Sequence, residues 1–145
     1  MKKFAFSLET ARRWRDHQAD VEEVRMQALL AEKQNIENRM GSLQTGLEAE
    51  HRRIEDTSFD AGELAPLDAY RVWVNREKKR LGGSLTDCAS RIEAQRVVLA
   101  EARRRFRLVD RLKEKALIEW RKAGAKEQED LAAELYLARR VRQNE

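Results

Sequence analysis

The stretch LTDCASRIEAQRVVLAEARRRFRLV, residues 85–109, carries the clearest structural signal in the chain. Its seam positions follow one another at alternating steps of three and four residues. They are Leu85, Cys88, Ile92, Gln95, Leu99, Ala102, Phe106 and Val109. This spacing places one side chain per turn on the same face of a helix, and it is typical of a coiled coil.

The same periodicity extends in both directions and predicts two long helices. The second helix is expected from about residue 66 to 142, and the first from about 8 to 56. The first has its own seam: Met26, Leu29, Ile36, Met40, Leu43, Leu47 and Ile54. Pairs at i,i+4 spacing add support, namely Glu48 with Arg52, Asp87 with Arg91 and Glu101 with Arg105. A charged fraction of 39% with only 6% aromatic residues also favours long helices over a broad core.

The segment TSFDAGELAP, residues 57–66, is the one clear break between the helices. Pro66 suits a first helical turn, and Asp60 with Glu63 suits a short capped turn. A connection this short predicts that the helices fold back on each other. The predicted fold is therefore all-α, a long antiparallel two-helix coiled coil or helical hairpin. We expect residues 1–145 to form a single elongated domain that places Ile36 opposite Cys88 and Phe4 near Trp120, with the overhang fraying after residue 124.

Four glycines are predicted to face one another across this hairpin. They are Gly41, Gly46, Gly82 and Gly83. Each glycine inside a helix costs about 1 kcal/mol relative to alanine. We interpret the group as a hinge at which the paired helices bend.

Charge concentrates where the chain ends are expected to meet. Residues 1–15 carry a net charge of +4 and residues 96–122 a net charge of +6, although the whole chain is only +4. Aromatic side chains accompany these charges: Phe4, Phe6, Trp14, Phe106 and Trp120. Arginine and aromatic residues are enriched at protein interfaces, so this basic end is the predicted binding surface. A solvated charged face remains the simpler alternative.

The residues that usually perform chemistry are sparse. His17 and His51 have no ligand cluster at metal-binding spacing, and Cys88 lies on the seam, where an inert buried thiol is expected. We therefore expect no catalytic, cofactor or metal site, and no enzymatic activity. One cysteine gives no internal disulfide, and no run of about 20 apolar residues is present. The expected protein is soluble and cytoplasmic.

Two motifs resemble those of the flagellar export protein FliJ family. The first is F-x-F-x-L-E-T near the start, formed by residues 4–10 and followed by Arg13 and Arg15. The second is the tail VDRLKEKALIEWRKAGAKEQEDLAAELYLARR, residues 109–140. The chain departs from the family pattern at Ala11, Arg12 and Trp14, where leucines are usual, and at Gly124, which interrupts a tail that is usually helical.

The resemblance implies a stalk similar to the central stalk of rotary ATPases, in the flagellar type III export apparatus. The basic terminal end would enter the hexameric export ATPase ring. Its contact candidates are Phe4, Phe6, Arg12, Arg13, Trp14, Arg103, Arg104, Arg105, Arg107 and Trp120. The half near the turn would approach the cytoplasmic domain of the membrane export gate. The candidates there are Leu43, Leu47, Tyr70, Trp73 and Val74.

Export chaperones are further implied partners, and the implied location is the cytoplasm, peripheral to the inner-membrane export apparatus. Two alternatives to the flagellar hypothesis remain. One is a stalk protein of a non-flagellar type III secretion injectisome. The other is a nucleic-acid-binding coiled coil, since clustered arginines with aromatic residues also engage phosphates and bases. Acidic residues mixed into the basic end weaken that last alternative, and no nucleic acid is expected as a partner.

Overall fold

Two long α-helices make up nearly all of the chain that this computed structural model describes, which is residues 2–56, 62 and 64–143. Helix α1 spans Glu9–Glu55 and helix α2 spans Leu64–Gln143. The two helices contact each other, and no strand occurs among the described residues. The predicted all-α helical hairpin is confirmed.

The helix ends differ slightly from those expected from the sequence. Helix α2 begins at Leu64, so Pro66 lies within its first turn, where its missing N–H group removes no helical hydrogen bond. Most of the expected turn, including Asp60 and Glu63, lies outside the described residues. At the other end α2 continues through Gly124 to Gln143, and fraying after residue 124 stays a prediction.

Ion pairs within each helix support its exposed faces. Arg52 lies 3.9 Å from Glu48 and Arg105 lies 2.9 Å from Glu101, as the i,i+4 spacing predicted. Arg91 was predicted to pair with Asp87, but its guanidinium instead lies 3.2 Å from Glu32 of α1. That prediction was wrong because it considered one helix alone, whereas the partner helix brings a carboxylate within reach.

Contacts divide the chain into two compact units. The terminal unit consists of Met1–Asp20 with Glu101–Glu145, and the central unit is Val21–Ala100. Each unit contains a piece of α1 and a piece of α2.

The central unit contains all the buried apolar side chains of the described residues. Met26 and the α2 residues Cys88, Ile92 and Leu99 form one cluster, against which Leu29 and Ile36 pack. Val74 and Leu81 are buried as well. The predicted seam therefore forms the core here, and Ile36 joins the cluster of Cys88 as expected.

Polar contacts interrupt that core. Gln95, a predicted seam residue, donates through Nε2 to Glu22 Oε2 at 2.6 Å and to the Glu22 backbone carbonyl at 3.1 Å. Glu22 is buried, and its other carboxylate oxygen accepts from Arg25 at 2.8 Å. The buried Cys88 thiol donates to the Leu29 carbonyl at 3.5 Å. These contacts satisfy polar groups that would otherwise be costly to bury.

The four hinge candidates all lie inside continuous helix. None has a positive φ, so no glycine is required by backbone conformation. Gly46 differs from the others, since a Cβ built there would lie 3.0 Å from the Tyr70 hydroxyl, whereas the space around Gly41, Gly82 and Gly83 is open. Close packing therefore accounts for Gly46. Bending at the glycines stays a prediction.

Candidate interaction surfaces

Aromatic contacts hold the N-terminal segment against α2 in the terminal unit. The rings of Phe4 and Trp120 meet edge to face, with their centroids 5.8 Å apart. The Trp120 indole N–H also donates to the backbone carbonyl of Lys2 at 3.1 Å. The predicted proximity of Phe4 and Trp120 is confirmed, and Phe6 is half-buried.

An ionic network lies about two to three turns of α2 before Trp120, in the same unit. Lys113 Nζ lies 2.9 Å from Glu9 Oε2, and Arg12 Nε donates to Asp110 Oδ1 at 2.7 Å. Arg12 and Arg13 also lie 3.4 and 3.6 Å from Glu9 Oε1. Contact with the Lys113 ammonium lowers the pKa of the Glu9 carboxyl from its ordinary 4.5, against the opposing effect of burial. The bond to Asp110 raises the pKa of Arg12.

Two arginines of the first helix also lie over aromatic rings. The Arg12 guanidinium carbon is 5.4 Å from the centroid of Phe106, and that of Arg15 is 4.6 Å from the centroid of Trp14. Arg12 was a predicted partner contact, but it is engaged within the chain. Trp14 is about half exposed and remains accessible to a partner.

The arginine cluster of α2 is partly neutralised by its own helix. Arg104 and Arg105 both donate to Glu101, and their hydrogen bonds lower the pKa of Glu101 from 4.5 to about 2. Arg103 is exposed and also has an interaction partner. Arg107 is exposed and forms no ion pair among the described residues.

Sequence reasoning missed two cations that continue the surface of Arg107. Arg111 and Lys115 follow it at i+4 and i+8, are exposed, and form no ion pair in the described part of the chain. Residues four apart are neighbours on a helix, so the three form one basic strip. Leu108 and Leu112 beside it are about half exposed. The signal available in the sequence was the repeated four-residue spacing of these cations.

The predicted gate-contact residues lie in the central unit and differ in exposure. Val74 is fully buried, and Leu43, Leu47 and Tyr70 are half-buried. Trp73 is the one exposed member of the set, and its ring stacks on Tyr70 with centroids 6.0 Å apart. Any contact through this set would therefore be made chiefly by Trp73.

The last part of α2 forms a second exposed region in the terminal unit. Every residue from 125 to 143 is exposed, whereas Gly124 just before them is buried. Leu131 and Leu135 are more than half exposed, as are Tyr136, Leu137 and Val141. Leu131 follows Gly124 by one heptad, so the two lie on one face of α2, and Leu131 is exposed on that face.

The two histidines and the open groove of the central unit are the remaining features considered as sites. His17 and His51 are exposed, and no group of three His, Cys, Asp or Glu side chains lies close enough to hold a metal ion. An open groove of about 470 Å³ in the central unit is lined by residues such as Arg25, Glu32 and Arg91. The expectation that the chain is not an enzyme stays a prediction.

Neither described helix has an apolar stretch of the length needed to cross a bilayer. No known protein family, curated protein or solved structure matches the chain.

Proposed function

We propose that the chain is a non-catalytic stalk and adaptor of the flagellar type III protein export apparatus. Its terminal unit enters the ring of the export ATPase, and the chain links that ring to the membrane export gate and interacts with export chaperones. A single asymmetric chain inside a ring of identical subunits contacts each subunit differently. Such differential contacts can bias the conformations of the subunits and so couple nucleotide hydrolysis to the gate.

The observation that carries the proposal is the basic strip of the terminal unit, Arg107, Arg111 and Lys115. These three cations have no carboxylate partner within the described chain, and exposed leucines flank them. Unpaired cations beside apolar side chains suit an acidic protein surface, which supplies both counter-charges and apolar contact. The resemblance of the two terminal motifs to the FliJ family supplies the identity of that partner.

A second support is the exposed Trp73 in the central unit. A half-exposed tryptophan stacked on Tyr70 is a pre-ordered apolar group of the kind that serves as an anchor at interfaces. It is our candidate contact for the cytoplasmic domain of the export gate.

The test of ring insertion uses the export ATPase encoded in the same genome. The triple variant Arg107→Glu, Arg111→Glu and Lys115→Glu should abolish binding in a pull-down and stimulation of ATP hydrolysis. Its helicity by circular dichroism should be unchanged.

The matched control replaces three exposed cations of the central unit with glutamate, at Arg71, Arg76 and Lys79. It changes the net charge by the same amount and should retain stimulation. Full stimulation by the first variant, or equal loss in both, would refute insertion through the basic strip.

The gate contact is tested separately with Trp73→Ala. Binding to the cytoplasmic gate domain should fall about tenfold or more, as expected for loss of an aromatic anchor. The control Trp14→Ala removes an equally exposed tryptophan from the terminal unit and should leave gate binding unchanged.

A further inference from the structure

The contacts that pair α1 with α2 differ in kind between the central unit and the terminal unit. All six buried apolar side chains of the described residues belong to the central unit, whereas the terminal unit has none below one-tenth exposure. Regions with few buried apolar contacts open at a lower free energy than packed cores. The helix pairing of the terminal unit is therefore the weaker of the two.

Ionic and ring contacts take the place of a core in the terminal unit. The cross-helix ion pairs are Lys113 with Glu9 and Arg12 with Asp110, and all four side chains are about one-quarter to one-third exposed. Ion pairs that reach solvent contribute little each, and salt screens them. The ring contact of Phe4 with Trp120 adds apolar area, but both rings are only half-buried.

The N-terminal segment lies on the seam of α2. Its residues contact Phe106, Lys113 and Trp120, which recur at intervals of seven and so share one face of the helix. Gly124 and Leu131 follow Trp120 by 4 and 11 residues, so they lie close to the same face of the helix, and Leu131 is already exposed. Detachment of the segment would uncover the rings of Phe106 and Trp120 and so enlarge the exposed apolar surface of α2.

We propose that residues 2–20 form an ionic latch over the α2 seam, which detaches from α2 while the central unit stays closed. Its detachment uncovers the rings of Phe106 and Trp120 on α2, and screening or removal of its ion pairs favours detachment. This property belongs to the isolated chain and does not depend on the proposed function.

Hydrogen exchange of the full chain, followed by mass spectrometry, tests the latch. A detached helical segment of about 12 residues is marginally stable without packing, so detachment exposes its amides. Residues 9–20 should exchange faster than residues 26–36. Raising sodium chloride from about 0.05 M to about 1 M shortens the screening length to about 3 Å. It should speed exchange of the first segment several-fold and that of the second much less, because a buried apolar cluster holds the second segment beside its ion pair of Glu32 with Arg91.

Two matched variants separate the latch from general charge effects. Lys113→Gln removes the cross-helix ion pair with Glu9 and should speed exchange of residues 9–20 at low salt. Lys122→Gln removes a lysine whose partner, Glu119, lies in the same helix, and it should have no such effect. Equal protection of the two segments, absence of a salt effect, or equal effects of the two variants would overturn the proposal.

Discussion

The buried contact between Gln95 and Glu22 gives the sharpest prediction about stability. In Gln95→Leu the side chain keeps a similar volume but loses its amide, so Glu22 Oε2 loses its 2.6 Å donor in a position shielded from water. Stranding a buried polar group costs about 1–3 kcal/mol. The added apolar contact of leucine offsets part of this cost, and we expect a net loss of about 1–2 kcal/mol in the free energy of unfolding.

The reverse change should be much milder. In Glu22→Leu the Gln95 amide keeps the Glu22 backbone carbonyl as an acceptor at 3.1 Å, and the cost of burying a carboxylate disappears. We expect a change within about 0.5 kcal/mol of zero. The double variant replaces the whole polar contact with apolar packing and should be at least as stable as the parent protein.

A double-mutant cycle measures the coupling between the two side chains. Urea unfolding followed by far-UV circular dichroism gives the four free energies, and tryptophan fluorescence checks that a second probe reports the same transition. The predicted coupling is about 1–2 kcal/mol. A stabilising Gln95→Leu in the presence of Glu22, or additive single variants, would refute the reasoning.

Two further predictions concern a glycine and a carboxylate. Gly83 lies in open space, so Gly83→Ala should raise the free energy of unfolding by about 0.5–1 kcal/mol. Gly46→Ala should raise it by less, because the new Cβ would lie 3.0 Å from the Tyr70 hydroxyl. Urea unfolding of the two variants measures the difference. The pKa of Glu9 is lowered by its bond to Lys113 and by the neighbouring arginines, so its stabilising effect is present above pH 4.5 and is lost as the pH falls through the lowered pKa. The protection factor of residues 9–20, which is the intrinsic exchange rate at each pH divided by the observed rate, should therefore fall below that pH. Lys113→Gln should reduce this pH dependence, and an unchanged profile of the protection factor in the variant would contradict the assignment.

The sequence predicted those features that depend on spacing along one helix. Cys88, Ile92 and Leu99 repeat at heptad positions, and they form the core because a seam needs only one partner helix to become buried. The antiparallel fold-back followed from the short connection, and it placed Phe4 at Trp120.

Features that depend on side chains from both helices were not predictable in the same way. Arg91 has a carboxylate on its own helix at ideal spacing, yet it contacts Glu32 across the interface. Arg12 was assigned to a partner surface because it belongs to a basic run, whereas it lies between Asp110 and Phe106. Long flexible side chains choose among several neighbours of similar energy, and a one-dimensional pattern does not rank those neighbours.

The single cysteine of the chain offers a chemical handle on the central unit. Cys88 is 1% exposed and donates to the Leu29 carbonyl, so a thiol reagent can reach it only after the surrounding core has opened. The rate of its alkylation under native conditions therefore measures how often α1 and α2 separate around residue 88. A cysteine introduced at the exposed positions of Trp73 or Leu108 would react quickly with the same reagents. Cys88 would not need to be removed first, because it is buried.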